Sequence, residues 1–522
     1  MTRNYGIALA LSVLALLGTR TWWASRHGFN ADEGLVAEIS DSIAHGRGPV
    51  AGAMIENGFA PLTAPPLPLY ASALFSRICP YNALRSARIW AILLQIAALL
   101  VAAALARRLA GPMAGLAAAW AFALAPSAAW LGSFAFYHHL GAVALLTACF
   151  FWVAWIQEGA EPNFWGMAIA AALAPACAYW LWWLPAGLLA LLAARGDWRR
   201  ALQGSALALA ALASSLAWNY GSDPESFVGE LAWMGHLGRD AGPAGLKEFF
   251  LSGGRLSLSM PLLFVGLIFL AASLRRQVGL LIFPFYALFM GLFEPLRQRA
   301  NLAEIPYSLL IALPLAIASC SLAFQASGPK RWALGALAIL ALAWQPKTYW
   351  LDLLALDGQR SGELCKFVES ASCGDELVIG QSNYGWRLQG KPCIAEPAQL
   401  AAWQGMAAAF MPGNLPHSRF TREASLENSA YLVCSRSSVI YGMREPGTRL
   451  VFLEADRERW PMVWDNGSFR VFANPRRVGW QAAMPSVIPD NRLYAEAEAD
   501  ARAQGRPELA EYAHGRLISA AR

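Results

Sequence analysis

Residues 104–132 read ALARRLAGPMAGLAAAWAFALAPSAAWLG. Two arginines and a Gly-Pro turn are followed by an apolar run with no charged residue as far as Gly132. This is the pattern of a basic hinge feeding a membrane span. About 20 apolar residues cross a hydrocarbon core of ~30 Å, and Lys and Arg concentrate in cytoplasmic loops. Outward from it the pattern repeats. Arg3, Arg107–Arg108, Arg195 with Arg199–Arg200, Arg275–Arg276 and Lys330–Arg331 all sit in short hinges between apolar runs.

The 522-residue chain is 57% hydrophobic and 15% charged, against roughly a quarter charged in a soluble domain. The charge is uneven: residues 350–522 have ordinary soluble composition. The expected fold is therefore a polytopic α-helical membrane protein with a small C-terminal α/β soluble domain. About eleven spans are expected, at 5–23, 86–106, 112–131, 140–157, 164–178, 181–195, 201–219, 256–274, 278–293, 304–324 and 331–347. The break at AYWLWWLP (178–185) suggests one kinked region rather than a clean hairpin. The first segment lacks a small-x-small cleavage site and ends in a Trp pair, so it is kept as a span rather than a signal peptide.

With Arg3 inside, every later basic hinge also falls inside. That alternation requires PPLPLYASALFSRIC (65–79) not to cross; it is short and Pro-rich, and is expected at the outer interface. Domain boundaries follow at 1–348, with an external loop at 24–85, and 349–522. In the C-terminal part ELVIG (376–380), AYLVCS (430–435), RLVFLEA (449–455) and FRVFANP (469–475) predict strands, and 492–521 predicts two helices broken near Gly505–Pro507. This part is expected on the periplasmic side, so Cys365, Cys373, Cys393 and Cys434 are available there for one or two disulfides, with the pairing open. No CxxC or zinc spacing occurs, and no basic patch is interleaved with aromatics as nucleic-acid binding would need.

The predicted span interiors are nearly free of ionisable groups; Gln95 is the most polar residue at mid-depth. A charge at the bilayer centre costs ~2.5–3.5 kcal/mol on insertion scales, and transporters keep such charges for their pathways. Here the ionisable groups collect on outer loops instead: His27, Asp32, Glu33, Glu38, His45, His138, His139, His236, Arg255, Arg297 and Arg299. Five of the seven histidines are among them. A site at the outer membrane face is favoured over a channel.

NADEGLVAEISDSIAHG (30–46) carries the acidic pair of that set. Asn30 fits an N-cap, Glu33 stands where a capping box needs an acid, and Leu35, Val36, Ile39 and Ile43 form a stripe expected to lie on the membrane. Glu33 thus has a purely structural explanation beside a catalytic one. Asp32 near a helix N-terminus would stay ionised. It is either a helix-dipole aspartate or a base able to take a proton from a hydroxyl at headgroup depth.

Several parts occur in order: the acidic pair Asp32–Glu33 with Ala37–Ser40, PPLPLY (65–70), the stretch 104–132, a second short outer loop, and EIPYSLLIALPLAI (304–317). Together they resemble the GT-C glycosyltransferase superfamily, near its bacterial protein O-mannosyltransferase and aminoarabinose transferase branches. The resemblance implies transfer of a sugar from a polyprenyl-phosphate (undecaprenyl-type) donor to a lipid, glycan or protein acceptor at the periplasmic face of the inner membrane. It places the family's catalytic aspartate at Asp32. The pattern departs where relatives carry an acidic–basic pair before the double proline, since this chain has Thr63 and Ala64. It departs again in the next outer loop, where Ser133 and His138 replace an Arg and an Asp.

Arg297, Arg299, His138, His139 and Arg255 are candidates for the donor phosphate, because guanidinium matches phosphate bidentately and outer basic residues run against the positive-inside bias. Ordinary lipid headgroups are the competing partners of these arginines. His138 and His236 are candidate ligands should a divalent metal serve as cofactor. The rival functions are a lipid or glycan transporter or flippase, a surface-glycan polymerase or ligase, and a non-catalytic scaffold.

Overall fold

The computed structural model describes residues 2–25, 31–46, 65–81, 83–222, 260–274, 277–297, 305–325 and, further on, 363, 366–367, 370–371, 378–380, 393–394, 430–435, 446–467, 469–478, 491–503 and 505–521. Two compact units emerge. One gathers Met1–Ser25, Leu62–Pro224 and Met234–Asp352; the other gathers Arg26–Pro61, Glu225–Trp233 and Leu353–Arg522.

The first unit is helical: α1 (Thr2–Ala24), then α3 (Pro66–Ile78), α4 (Ala83–Ala110), α5 (Pro112–Leu124), α6 (Pro126–Leu131), α7 (His138–Glu158), α8 (Glu161–Cys177), α9 (Trp183–Ala194), α10 (Trp198–Ser222), α11 (Met260–Leu274), α12 (Val278–Arg297) and α13 (Ile305–Cys320). Helix α2 (Ala31–Ala44) groups with the second unit. Among the described residues four helices are long and apolar enough to cross a membrane, at Arg3–Ala24, Leu84–Ala110, His138–Glu158 and Trp198–Gly221. The expected span at 331–347 lies outside the described residues.

The described hinges at Arg107–Arg108 and Arg195–Arg200 share one end of this bundle. Arg108 pairs with Glu158 at 2.6 Å, Arg200 with Glu161 at 2.7 Å and with Asp197 at 2.8 Å, and Arg107 lies over the Tyr5 ring. Arg195, just past α9, lies over Trp155 near the end of α7. Helix α7 stops there because Gly159 takes a left-handed φ of 68° and returns its N–H to the Trp155 carbonyl. The other ends meet on the opposite side: Arg88 donates to the Ala24 carbonyl at 2.8 Å, and α3 places Tyr70 on Trp218 and Phe75 on Trp90. At ~1.5 Å per residue a helix as short as α3 spans ~20 Å and cannot cross a ~30 Å core.

Two expectations about spans are corrected. Residues 112–131 are not one helix: they break at Ala125, whose ψ of 118° is extended. Pro126 causes this, because it lacks an N–H for the Phe122 carbonyl and pushes its predecessor out of the helical region. Residues 178–185 do make a hairpin. Helix α8 starts, and α9 ends, at the basic end, with a 3₁₀ turn at Tyr179–Trp182 between them. Helix α13 lies at the centre, with Ile311 through Ala318 buried on every side, as an all-round apolar helix requires.

Among the described residues of the second unit five strands form a sheet in the order β2-β1-β3-β5-β4, with β1 (Val378–Gly380), β2 (Cys393–Ile394), β3 (Tyr431–Ser435), β4 (Met462–Asp465) and β5 (Phe469–Ala473). β1 runs parallel to β2 and β3, while β5 is antiparallel to β3 and β4. Helices α14 (Pro446–Arg457), α15 (Asn491–Ala503) and α16 (Pro507–Ala521) complete its core through Phe452, Leu453, Tyr494, Leu509 and Ala513. The strand expected at 449–455 is thus a helix. RLVFLEA is a short apolar run whose period does not choose between the two forms, and its packing does: Phe452, Leu453 and Ala455 are buried and Arg457 is exposed. The hairpin β4–β5 went unpredicted although Asn466-Gly467 marks its turn, where Asp465 accepts from the Gly467 N–H at 2.7 Å. Cys393 and Cys434 fall on strands; Cys365 and Cys373 lie outside the described residues.

Candidate functional site

Helix α2 begins at Ala31, so Asp32 and Glu33 occupy its first turn, directly after the proposed cap Asn30. Asp32's backbone is described and its side chain is not. Glu33 is fully buried, as are Val36, Ala37, Ile39 and Ser40, while His45 is exposed and bonded to Asp41. Of the apolar stripe expected to rest on the bilayer, Val36 and Ile39 are buried in the protein and Ile43 is half-buried. Burial of Glu33 also departs from an exposed capping box. The helix is too well packed for a surface element.

In the first unit, Gly132–Tyr137 link α6 to α7, and every residue from Leu131 to Phe136 is buried. His138 and His139 open α7, both buried. The His138 ring stacks on Tyr137 with centroids 3.8 Å apart. His139 is bonded through both nitrogens: Nε2 lies 2.9 Å from the Phe134 carbonyl and Nδ1 lies 2.8 Å from Gln95 Nε2. A carbonyl only accepts, so Nε2 carries the proton, and Nδ1 accepts from the Gln95 amide in the neutral ring. No ring nitrogen of His139 is left over for a phosphate or a metal.

Arg20 is a residue that the sequence reading passed over. It lies inside α1 with no exposure, and its guanidinium donates to the Ala123 carbonyl at 2.6 Å and the Phe122 carbonyl at 2.9 Å. These are the carbonyls at the end of α5, where Pro126 removes the helix's own donor. The proline in an otherwise unbroken run and the one arginine near the end of the first span were the available signals.

Arg297 is the last residue of α12, with its side chain outside the described residues, and Arg255, Arg299 and His236 lie outside them altogether. Among the described residues no three His, Cys, Asp or Glu side chains converge as metal ligands.

No protein-family profile and no curated protein matches the sequence. Solved structures do match. ArnT from Cupriavidus metallidurans bound to undecaprenyl phosphate aligns over 93% of this chain and 100% of its own, at 14% identity and a TM-score of 0.57. The apo Archaeoglobus fulgidus oligosaccharyltransferase aligns over 95% and 78%, at 12% identity and a TM-score of 0.55. The chain has the GT-C fold. A third GT-C structure, the A. fulgidus oligosaccharyltransferase AglB with an inhibitory peptide and a dolichol-phosphate, matches 90% of this chain and 74% of its own at 13% identity and a TM-score of 0.51. Identities this low establish architecture, and the GT-C fold by itself does not fix a substrate.

Proposed function

We propose that this chain is an integral-membrane glycosyltransferase. It transfers a sugar from a polyprenyl-phosphate donor to a hydroxyl-bearing lipid, glycan or protein at the periplasmic face of the bacterial inner membrane. The observation that carries the reading is the alignment over the full length of ArnT, whose structure holds undecaprenyl phosphate. The near-absence of ionisable residues in the predicted spans argues in the same direction and against a transporter.

In this reading the Asp32 carboxylate takes the proton of the acceptor hydroxyl while that oxygen bonds to the anomeric carbon. The carbon–oxygen bond to the donor phosphate breaks, and polyprenyl phosphate leaves with the bonding electrons. A phosphate leaving group needs charge neutralisation more than protonation, the role given to Arg297, Arg299 and Arg255, while the buried His138 ring contributes a hydrogen bond to the phosphate. Asp32 and Glu33 are the candidate carboxylates for this step, with Asp32 as the base; Glu33, beside it in the first turn of α2, is buried. Asp32→Asn should lower sugar transfer by about 10²–10⁴-fold with unchanged protein in the membrane. Envelope glycans and glycoproteins compared by mass spectrometry between wild type and variant decide it, and full transfer by the variant rejects the assignment.

A further inference from the structure

Gln95 of α4 meets Gly132, Phe134 and His139, which share one short stretch before and at the start of α7, in one buried cluster. The Gln95 amide donates to His139 Nδ1 at 2.8 Å, and His139 Nε2–H donates to the Phe134 carbonyl at 2.9 Å. Gln95 and His139 are almost completely buried. The same amide leaves no room for a side chain at 132: a Cβ on Gly132 would lie 2.7 Å from Gln95 Oε1 and 2.6 Å from the Ala128 carbonyl. The loop backbone is thus tied to α4 at Phe134, through the imidazole, and is packed closely against the same side chain at Gly132, where only a glycine fits. A buried glutamine in a span needs a partner, and this one finds it in the ring nitrogen that the Phe134 carbonyl leaves as an acceptor.

We infer that Gln95 and His139 are positioning residues. They form a clamp that fixes the 132–137 segment and, through it, Tyr137 and His138 at the start of α7. This rests on the proposed donor role of His138 and changes the part expected of His139: it holds the loop and does not touch the phosphate. The clamp needs a hydrogen-bonding group at 95. Met fills the same volume without one. Glu retains one, because its carboxyl O–H can donate to Nδ1 as the amide does.

The test uses the full chain in lipid nanodiscs with two readouts: amide hydrogen exchange across 132–137, and affinity for undecaprenyl phosphate. In wild type the segment should be protected. Gln95→Met should speed its exchange and weaken binding about tenfold, the scale of one lost buried hydrogen bond, and Gln95→Glu should recover most of both. Should Gln95→Met not reach the membrane, Gly132→Ala strains the clamp from the other side and is held to the same outcomes. Unchanged exchange in the variant, or equal behaviour of Met and Glu, overturns the clamp; faster exchange with unchanged affinity overturns its positioning role. If wild type binds no undecaprenyl phosphate, the proposed function falls while the exchange readout still judges the clamp.

Discussion

At the scale of single residues, Arg20 shows how one side chain repairs a backbone. Its fork serves two carbonyls at once, and Thr19 adds a hydroxyl to the Ala123 carbonyl at 3.2 Å. Leaving a buried carbonyl unsatisfied costs about 1–3 kcal/mol. Arg20→Met should therefore destabilise the protein by a few kcal/mol, and Arg20→Lys by less, since an ammonium lacks the planar fork. Thermal unfolding in detergent measures both; a Met variant as stable as wild type would remove this account. The residue was legible only as a charge inside an apolar run. Its partners sit about a hundred positions away in sequence, at the end of α5.

At the scale of elements, Pro126 and Arg20 are two halves of one feature. Pro126→Ala gives Phe122 a helical N–H partner again, so Arg20→Met should cost less in that background than alone. A double-mutant cycle reads the difference, and strict additivity would show that the two are independent. The second unit offers a pH-dependent case. Asp456 accepts from Tyr494 at 2.6 Å and from Tyr512 at 2.9 Å, with Arg516 beside them. Burial first, and Asp456 second, push the Tyr512 hydroxyl up to about 12 and raise Tyr494 as well. A raised tyrosine binds its proton more tightly when folded. Its stabilisation is fully present below the unfolded value near ~10 and is lost as pH rises through the folded one. Alkaline unfolding of the α14–α16 region should accompany phenolate formation, and Asp456→Asn should bring phenolate absorbance to lower pH. The strand expected at 449–455 failed at this scale too, because burial on the sheet, not local pattern, selected the helix.

At the scale of the whole molecule, the hinges and α3 divide the bundle into two ends. Arg108, Glu158, Glu161 and Arg200 mark one, and Tyr70, Trp90 and Trp218 mark the other. Cysteines introduced at Glu161 and Tyr81 should be labelled by an impermeant reagent from opposite faces of the membrane, position 161 from the cytoplasm. Labelling of both from one face would break the alternation on which an outer-face site depends.

The sequence by itself determined that this is a bundle of apolar helices with basic hinges at one end, because hydropathy and charge placement act locally and need no partner. It also marked the two-helix ending at Gly505–Pro507, where α15 and α16 separate. Only the tertiary structure decided that Glu33, Val36 and Ile39 of α2 are buried, that Arg20 closes a broken helix, and that Gln95 donates to His139. Each depends on a hydrogen-bond partner or a covering surface supplied by a distant segment, and a buried polar group has no meaning in the sequence until that partner arrives.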